Sequence, residues 1–221
     1  MGGLLSRIGR NRNGAAAASV PLVVCGPSGV GKGTIIDALT KKHEAKFGFS
    51  VSHTTRDPRP GEQDGKHYHF RPLEEVQKAV DAGEFLEHAN VHGNIYGTSK
   101  AAVEEVKKTG RCCILDIDVQ GARQVRAALG SDAVFVFVRP PSIEELEARL
   151  RGRGTETEAQ VQKRLGNAAA EIAAADEVKD GVRLFDHVVV NRNLDAAIEE
   201  VEAIAIAASK GIHTPAKTAA A

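Results

Sequence analysis

One stretch constrains this chain more than any other: Val20 to Thr34, VPLVVCGPSGVGKGT. A β-branched apolar run stops at Cys25. Glycines follow at Gly26, Gly29 and Gly31, then come Lys32 and Thr34, and Ile35, Ile36 and Leu39 open an amphipathic helix. A buried strand, a glycine-rich turn and a helix in that order make a phosphate-binding loop. Glycines let the backbone curl until several N–H groups converge on one anion, and the positive end of the following helix faces the same point. Lys32 adds a point charge for the outer phosphates. The expected cradle is Gly26, Pro27, Ser28, Gly29, Val30, Gly31, Lys32, Gly33 and Thr34, and the expected ligand is a nucleoside triphosphate.

The chain has 221 residues, enough for one domain with a sizeable core and small inserts. Its 29 basic residues balance 29 acidic ones, which argues against generic nucleic-acid binding. Cys25, Cys112 and Cys113 all lie in apolar runs and read as reduced core thiols, which favours a cytoplasmic protein. No apolar run approaches the ~20 residues of a membrane span. Residues 1–19 are arginine-containing and acid-free and are expected to be a disordered extension. Two alternatives stand beside that reading. Met1-Gly2-Gly3-Leu4-Leu5-Ser6 fits N-myristoylation at Gly2, and the same stretch fits an organelle transit peptide. Residues 209–221 are expected to be a disordered tail.

Strands alternate with helices, so the expected class is α/β with a mainly parallel sheet. Apolar runs predict strands at Val20–Cys25, Cys112–Ile117, Ala133–Val138 and His187–Val190. Helices are expected at Gly31–His43, Ser99–Thr109, Ser142–Leu150 and Leu194–Ala208, with a long one over Glu158–Val178. Ser142 and Glu145 form a capping-box pattern. Two stretches break the alternation. Phe49–Tyr96 reads as a small, mostly β insert with one helix near Leu73–Ala82. Arg149–Arg164 is polar, centred on RGRGTETE, and has no apolar face at first, which suits a mobile lid.

The insert opens FSVSHTTRDPRPGEQDGKHY. Arg56 and Arg59, three residues apart on a proline-stiffened turn, suit a dianionic phosphate, and Ser52 and Tyr68 can add hydroxyls. A solvated arginine loop is the alternative. The run CCILDID ends a strand in Asp116 and Asp118, at the edge where parallel sheets bind ligands. One aspartate there can hold Mg²⁺ through water; both can instead cap the strand end and the following turn. Gly33 stands directly after Lys32, where phosphate loops usually carry a Ser or Thr whose hydroxyl meets Mg²⁺. The metal's ligands are therefore left open among Thr34, Asp116 and Asp118. The GKGT ending resembles adenylate kinases, which hold Mg²⁺ largely through water.

FGFSVSHTTRDPRPGE, GKHYHF, GEFLEHANVHGNIYGTS, CILDIDVQGA and RLRGRGTETE closely resemble the guanylate kinase family, in its order and spacing, over about residues 20–206. The resemblance implies a P-loop NTPase core with flanking helices, a small mostly β GMP-binding insert and a helical lid. The corresponding segments are 20–50, 102–141 and 170–208 for the core, 51–101 for the insert and 142–169 for the lid. It implies that Ser52, Arg56, Arg59, Tyr68 and Tyr96 hold the monophosphate. Glu87 would face guanine, with Thr98 and Asp116 nearby. Guanine presents an N1–H and a 2-amino group side by side, which one carboxylate can accept. Adenine presents a lone pair there, which a carboxylate repels. The family more often has serine where this chain has Thr98; both carry the hydroxyl. Arg149, Arg153 and Arg164 would stabilise charge on the transferring phosphoryl group, with Asn191 near the adenine.

The expectation is therefore transfer of the γ-phosphoryl group of Mg²⁺·ATP to GMP, or dGMP, by a monomer, with a homodimer as the alternative. Another small kinase with an acceptor such as AMP is one rival, and Glu87 and IYGTS argue against it. A silent scaffold domain that binds phosphopeptides is the other. Such domains lose the P-loop lysine and usually adjoin PDZ or SH3 modules; this chain keeps Lys32 and has no room for them.

Overall fold

The computed structural model describes residues 19–91, 93–152, 157–179 and 181–213. The N-terminal extension with Gly2, Arg153 and residues 214–221 lie outside them. The chain begins with β1 (Leu22–Cys25), α1 (Lys32–Lys42) and β2 (Phe47–Phe49). An insert follows with β3 (His53–Thr54), β4 (His69–Phe70), α2 (Leu73–Asp81), β5 (Phe85–Val91) and β6 (Asn94–Ser99). The chain returns through α3 (Lys100–Lys108), β7 (Cys112–Asp116), α4 (Val119–Leu129) and β8 (Val134–Arg139). Next come α5 (Ile143–Gly152), α6 (Glu158–Asp176), a hairpin of β9 (Val178–Lys179) and β10 (Val182–Arg183), β11 (His187–Val190) and α7 (Leu194–Ser209).

Five strands form one sheet in the order β11-β8-β1-β7-β2, and every neighbouring pair is parallel. Both faces are covered, which is why its strands read as unbroken apolar runs. Leu22 and Val24 pack on one face with Ile35 and Leu39 of α1 and Val201 and Ala205 of α7. Val23 and Cys25 pack on the other with Val103 of α3 and Ala122 and Val125 of α4. β1 sits in the middle. The chain leaves it on one side for β2 and β7, then builds β8 and β11 on the other, so the ligand edge lies beyond the C-terminal ends of β1 and β7. The three cysteines are free and buried, and burial pushes the Cys112 and Cys113 thiols up to about 12.

The insert is a second sheet, ordered β4-β3-β6-β5, with antiparallel β3/β6 and β5/β6 pairs and a parallel β3/β4 pair. A β-bulge interrupts β5 between Phe85 and Glu87. β5 is an edge strand, and α4 packs beside it.

Several features differ from the sequence expectation. No helix was expected over 119–129, because its buried stripe is built from Val119, Gly121, Ala122 and Val125, too small to stand out as an apolar face. The long helix stops at Asp176, and Val178 pairs with Arg183 instead. Ser142 Oγ accepts from the Glu145 N–H at 3.2 Å, but the Glu145 carboxylate turns to Arg149. A complete capping box occurs at Thr157 and Gln160. Ser209 closes α7, and Ile212 N–H returns to the Ala207 carbonyl at 3.0 Å, which ties the chain back on the helix end. In the segment expected to be a lid, Leu146, Leu150, Val161 and Ala168 belong to the main core. The two leucines are fully buried, which contributes roughly 3–6 kcal/mol by area. The helical lid is therefore anchored to the core through α5 and α6.

Candidate active site

The phosphate loop is shaped by close approaches. Gly26 has φ +147°, and a Cβ there would lie 2.2 Å from the Val138 carbonyl oxygen, so any side chain would drive β1 and β8 apart. Gly31 caps α1 in the left-handed region. Lys32 follows as the first helical residue. Its Nζ donates to the Gly26 carbonyl at 2.6 Å and lies 3.8 Å from Asp116 Oδ1. The lysine thus arches over the loop toward the end of β7. The Val30 carbonyl is held by Asn191 Nδ2 at 2.8 Å, and Arg149 spans from that carbonyl to the Asn191 carbonyl, 2.8 Å from the latter. Arg164 of α6 donates to the Ser28 hydroxyl. Gly33 and Thr34 are exposed on the first turn of α1.

Opposite the loop lies a cavity of about 320 Å³ lined by Lys32, Ser52, Tyr68, Glu87, Tyr96, Asp116 and Asp118, among others. It adjoins a wider cleft of about 760 Å³ bearing Arg56, Arg59, Arg123, Lys163 and Arg164. The two share Ser28, Tyr68, Val91, Tyr96, Asp118 and Glu171. Thr34, Arg149 and Asn191 line neither, and Thr98 lies fully buried behind Glu87.

At the cavity floor Glu87 is only 4% exposed. Burial raises its pKa to about 7, although the Thr98 hydroxyl and backbone N–H pull it down. That hydroxyl is itself fully buried, behind the carboxylate and away from the cavity surface. Asp116 is also raised by burial, against the pull of Lys32. Asp118 Oδ1 accepts from Gly121 N–H at 2.8 Å and caps α4, which realises the capping alternative for that residue.

The arginines divide their work. Arg56 forks onto Glu62 at 2.6 and 2.7 Å, donates from Nε to the Tyr96 hydroxyl at 3.1 Å and lies over the Tyr68 ring at 5.1 Å. Its hydrogen bonds hold the Glu62 carboxyl down at about 2. The backbone N–H of Arg59 donates to the same carboxylate at 2.7 Å, while its guanidinium makes no hydrogen bond among the described residues. Arg56 is a fixed charge and Arg59 an uncommitted fork.

Sequence reasoning missed Glu62, although it quoted the PRPGE run that contains it. It also missed Glu171, a carboxylate raised by burial and facing Lys32 from the alanine-rich part of α6. The signal for Glu171 was a lone acidic residue on an otherwise small apolar stripe. Lys163 also lines the wide cleft. Among the described residues no cluster of three His, Cys, Asp or Glu side chains is arranged to hold a metal. The hard carboxylates of Asp116 and Asp118 beside the loop lysine do suit a magnesium ion that keeps most of its water.

A floor that accepts hydrogen bonds, a cationic middle and a phosphate loop can hold two phosphorylated ligands end to end. A family model described as guanylate kinase matches residues 18–208. The chain is 57% identical over 182 residues to guanylate kinase 1 of Oryza sativa subsp. japonica, an alignment covering 82% of this chain and 46% of that protein. It therefore spans about half the length of that relative. It is 47% identical to guanylate kinase of Homo sapiens, over 82% of this chain and 90% of that one. The crystal structure of guanylate kinase from Anaplasma phagocytophilum superposes with a TM-score of 0.67 at 33% identity, over 86% of each chain. With the family model covering nearly all of the described fold, the chain belongs to the guanylate kinase family.

Proposed function

We propose that this chain transfers the γ-phosphoryl group of ATP to GMP, with dGMP as a second acceptor, giving ADP and GDP or dGDP. The observation that carries the reading is the buried Glu87 carboxylate, backed by Thr98 and facing Lys32 across one cavity. Glu87 accepts from N1–H and the 2-amino group of guanine. Ser52, Tyr68, Tyr96 and the guanidinium of Arg59 hold the monophosphate, with Arg56 as a fixed charge beside them. No side chain singled out at this site reads a 2′-hydroxyl, so the deoxynucleotide is accepted.

ATP lies in the loop from Gly26 to Thr34, whose N–H groups and helix terminus face its phosphates. Lys32 leaves the Gly26 carbonyl for the β- and γ-phosphates. Magnesium bound with ATP neutralises charge on those phosphates, and Asp116 and Asp118 are the carboxylates that would hold it through water. A phosphate oxygen of GMP attacks the γ-phosphorus in line, and the bond to the ADP oxygen breaks. The attacking phosphate is already anionic at neutral pH, so positioning and charge stabilisation do most of the work. Arg164, already on Ser28, faces the transferring phosphoryl group; Arg149 and Arg153 complete the set, and closure excludes water. Asn191 and Arg149 shape the adenine end.

The chain acts as a monomer, with a homodimer as the alternative. Among the described residues no helix is long and apolar enough to cross a membrane. We assign it to the cytoplasm on its three buried, free thiols, with lipidation at Gly2 or organellar import as the alternatives. ADP formation with GMP, with AMP and with no acceptor tests the activity. GMP-dependent turnover is expected, and equal turnover with AMP or none at all would overturn the reading.

A further inference from the structure

Glu87 sits where a strand is least able to hold its own register. The β-bulge immediately before it interrupts the ladder to β6, and among the described residues β5 has no strand on its other side. A slip of one residue would turn Glu87 out of the pocket. Two side-chain positions on α4 prevent this. Gln124 uses both ends of its amide on one residue of β5: its Nε2 donates to the His88 carbonyl at 2.6 Å, and its Oε1 accepts from the His88 N–H at 3.1 Å. The glutamine stands in for the missing neighbouring strand, at the residue next to Glu87. One turn earlier, Gly121 lies against the carboxylate itself. A Cβ on Gly121 would lie 2.5 Å from Glu87 Oε2 and 3.1 Å from its carboxyl carbon. Gly121 has ordinary helical geometry and no need of left-handed freedom, so helix formation alone favours alanine there. Close approach of Glu87 is what requires glycine.

We propose that Gln124 and Gly121 are positioning residues for the choice of acceptor base, Gln124 setting the register of Glu87 along β5 and Gly121 the depth of its carboxylate. The inference rests on the guanine-reading role of Glu87. It assigns selectivity to a helix of the core, on residues that need not touch the nucleotide. A carboxylate must meet two adjacent donors at once, so a displacement of a fraction of an ångström weakens both hydrogen bonds together.

The test uses the full chain and steady-state kinetics with GMP, AMP and ATP. Gln124→Ala and Gln124→Glu should each raise KM for GMP about tenfold and lower the GMP/AMP ratio of kcat/KM at least threefold. KM for ATP and the thermal midpoint should stay near those of the unaltered protein. Gln124→Glu is the sharper variant: it keeps shape and acceptor but sets a carboxylate against the His88 carbonyl. Gly121→Ala should cost at least tenfold in kcat/KM for GMP. Glu87→Asp draws the carboxylate back by one methylene, so Gly121→Ala in that background should cost less than threefold. If both Gln124 variants keep KM for GMP and the base ratio within twofold, the register role is overturned. If the Gly121 and Glu87 effects multiply, the depth role is overturned. Absence of GMP-dependent turnover in the unaltered protein would overturn the activity itself and this inference with it, and is read before any variant.

Discussion

The phosphate-loop end and the base-reading end of the site are built in opposite ways. The loop closes first on itself, Lys32 returning to Gly26, Val30 N–H to the Pro27 carbonyl and α1 beginning at once, and Asn191, Arg149 and Arg164 brace it from outside. The floor under Glu87 draws on β5, β6 and α4, with Asp116 from β7, brought together across dozens of residues. A local device carries a generic task, since every nucleoside triphosphate has the same phosphates. A dispersed one carries the specific task, since only a shaped, buried surface tells one purine from another.

Changes at the loop should therefore strike rate, and changes at the floor should strike choice of acceptor. The largest expected effect is Lys32→Ala, which should lower kcat by about 10²–10³-fold with GMP and AMP alike, as for loss of one transition-state charge contact. A folded Lys32→Ala protein with near-normal turnover would break the comparison at its strongest point.

Next comes Glu87→Gln. A neutral amide can turn its NH₂ toward the adenine N1, so the GMP/AMP ratio of kcat/KM should fall by about 1–3 kcal/mol with little change in KM for ATP. Because Glu87 loses its proton only at about 7, kcat/KM for GMP should decline as pH drops below neutrality, and Glu87→Gln should remove that decline. The stability effect has the opposite sense. The folded chain holds this proton between 4.5 and about 7, where the unfolded chain has released it, so stability falls as pH rises through that window. Thermal midpoints of the Gln variant should lack this contribution. A pH profile shared by both proteins would assign the titration to another group.

Glu62→Gln is intermediate. It weakens the fork that fixes Arg56 and the contact to the Arg59 backbone, so KM for GMP should rise several-fold while KM for ATP holds. An equal rise in both would make Glu62 a general structural residue. The smallest effect is expected at Gly33→Ser. A Cβ there meets nothing within 4 Å, so the protein should keep activity within about threefold while its Mg²⁺ dependence tightens. Titration of Mg²⁺ at fixed ATP reads this directly, and an inactive folded variant would show that the loop needs glycine for another reason.

The sheet was legible because strands covered on both faces are apolar throughout, and Leu22–Cys25 and Val134–Val138 stand out as such. α4 was not, because helices that approach a sheet or another backbone closely use small residues, and Gly121 and Ala122 carry no strong apolar signal. Arg56 and Arg59 were legible as a pair through the stiff turn between them. Their unequal commitments were not, because those depend on where Glu62 folds back. Arg149 and Asn191 were expected from the family resemblance as nucleotide contacts, and here they brace the Val30 carbonyl and each other.

By itself the sequence determined the phosphate loop, the parallel sheet and the identities of the charged groups. These follow from local backbone preferences and from hydrophobic periodicity, both written within a few residues of one another. The tertiary structure alone decided how acidic Glu87 is, which arginine is free, and what holds β5 in register. Burial, ion pairing and close approach are properties of surroundings, and at this site the surroundings of Glu87 arrive from positions as far apart as Thr98 and Gln124.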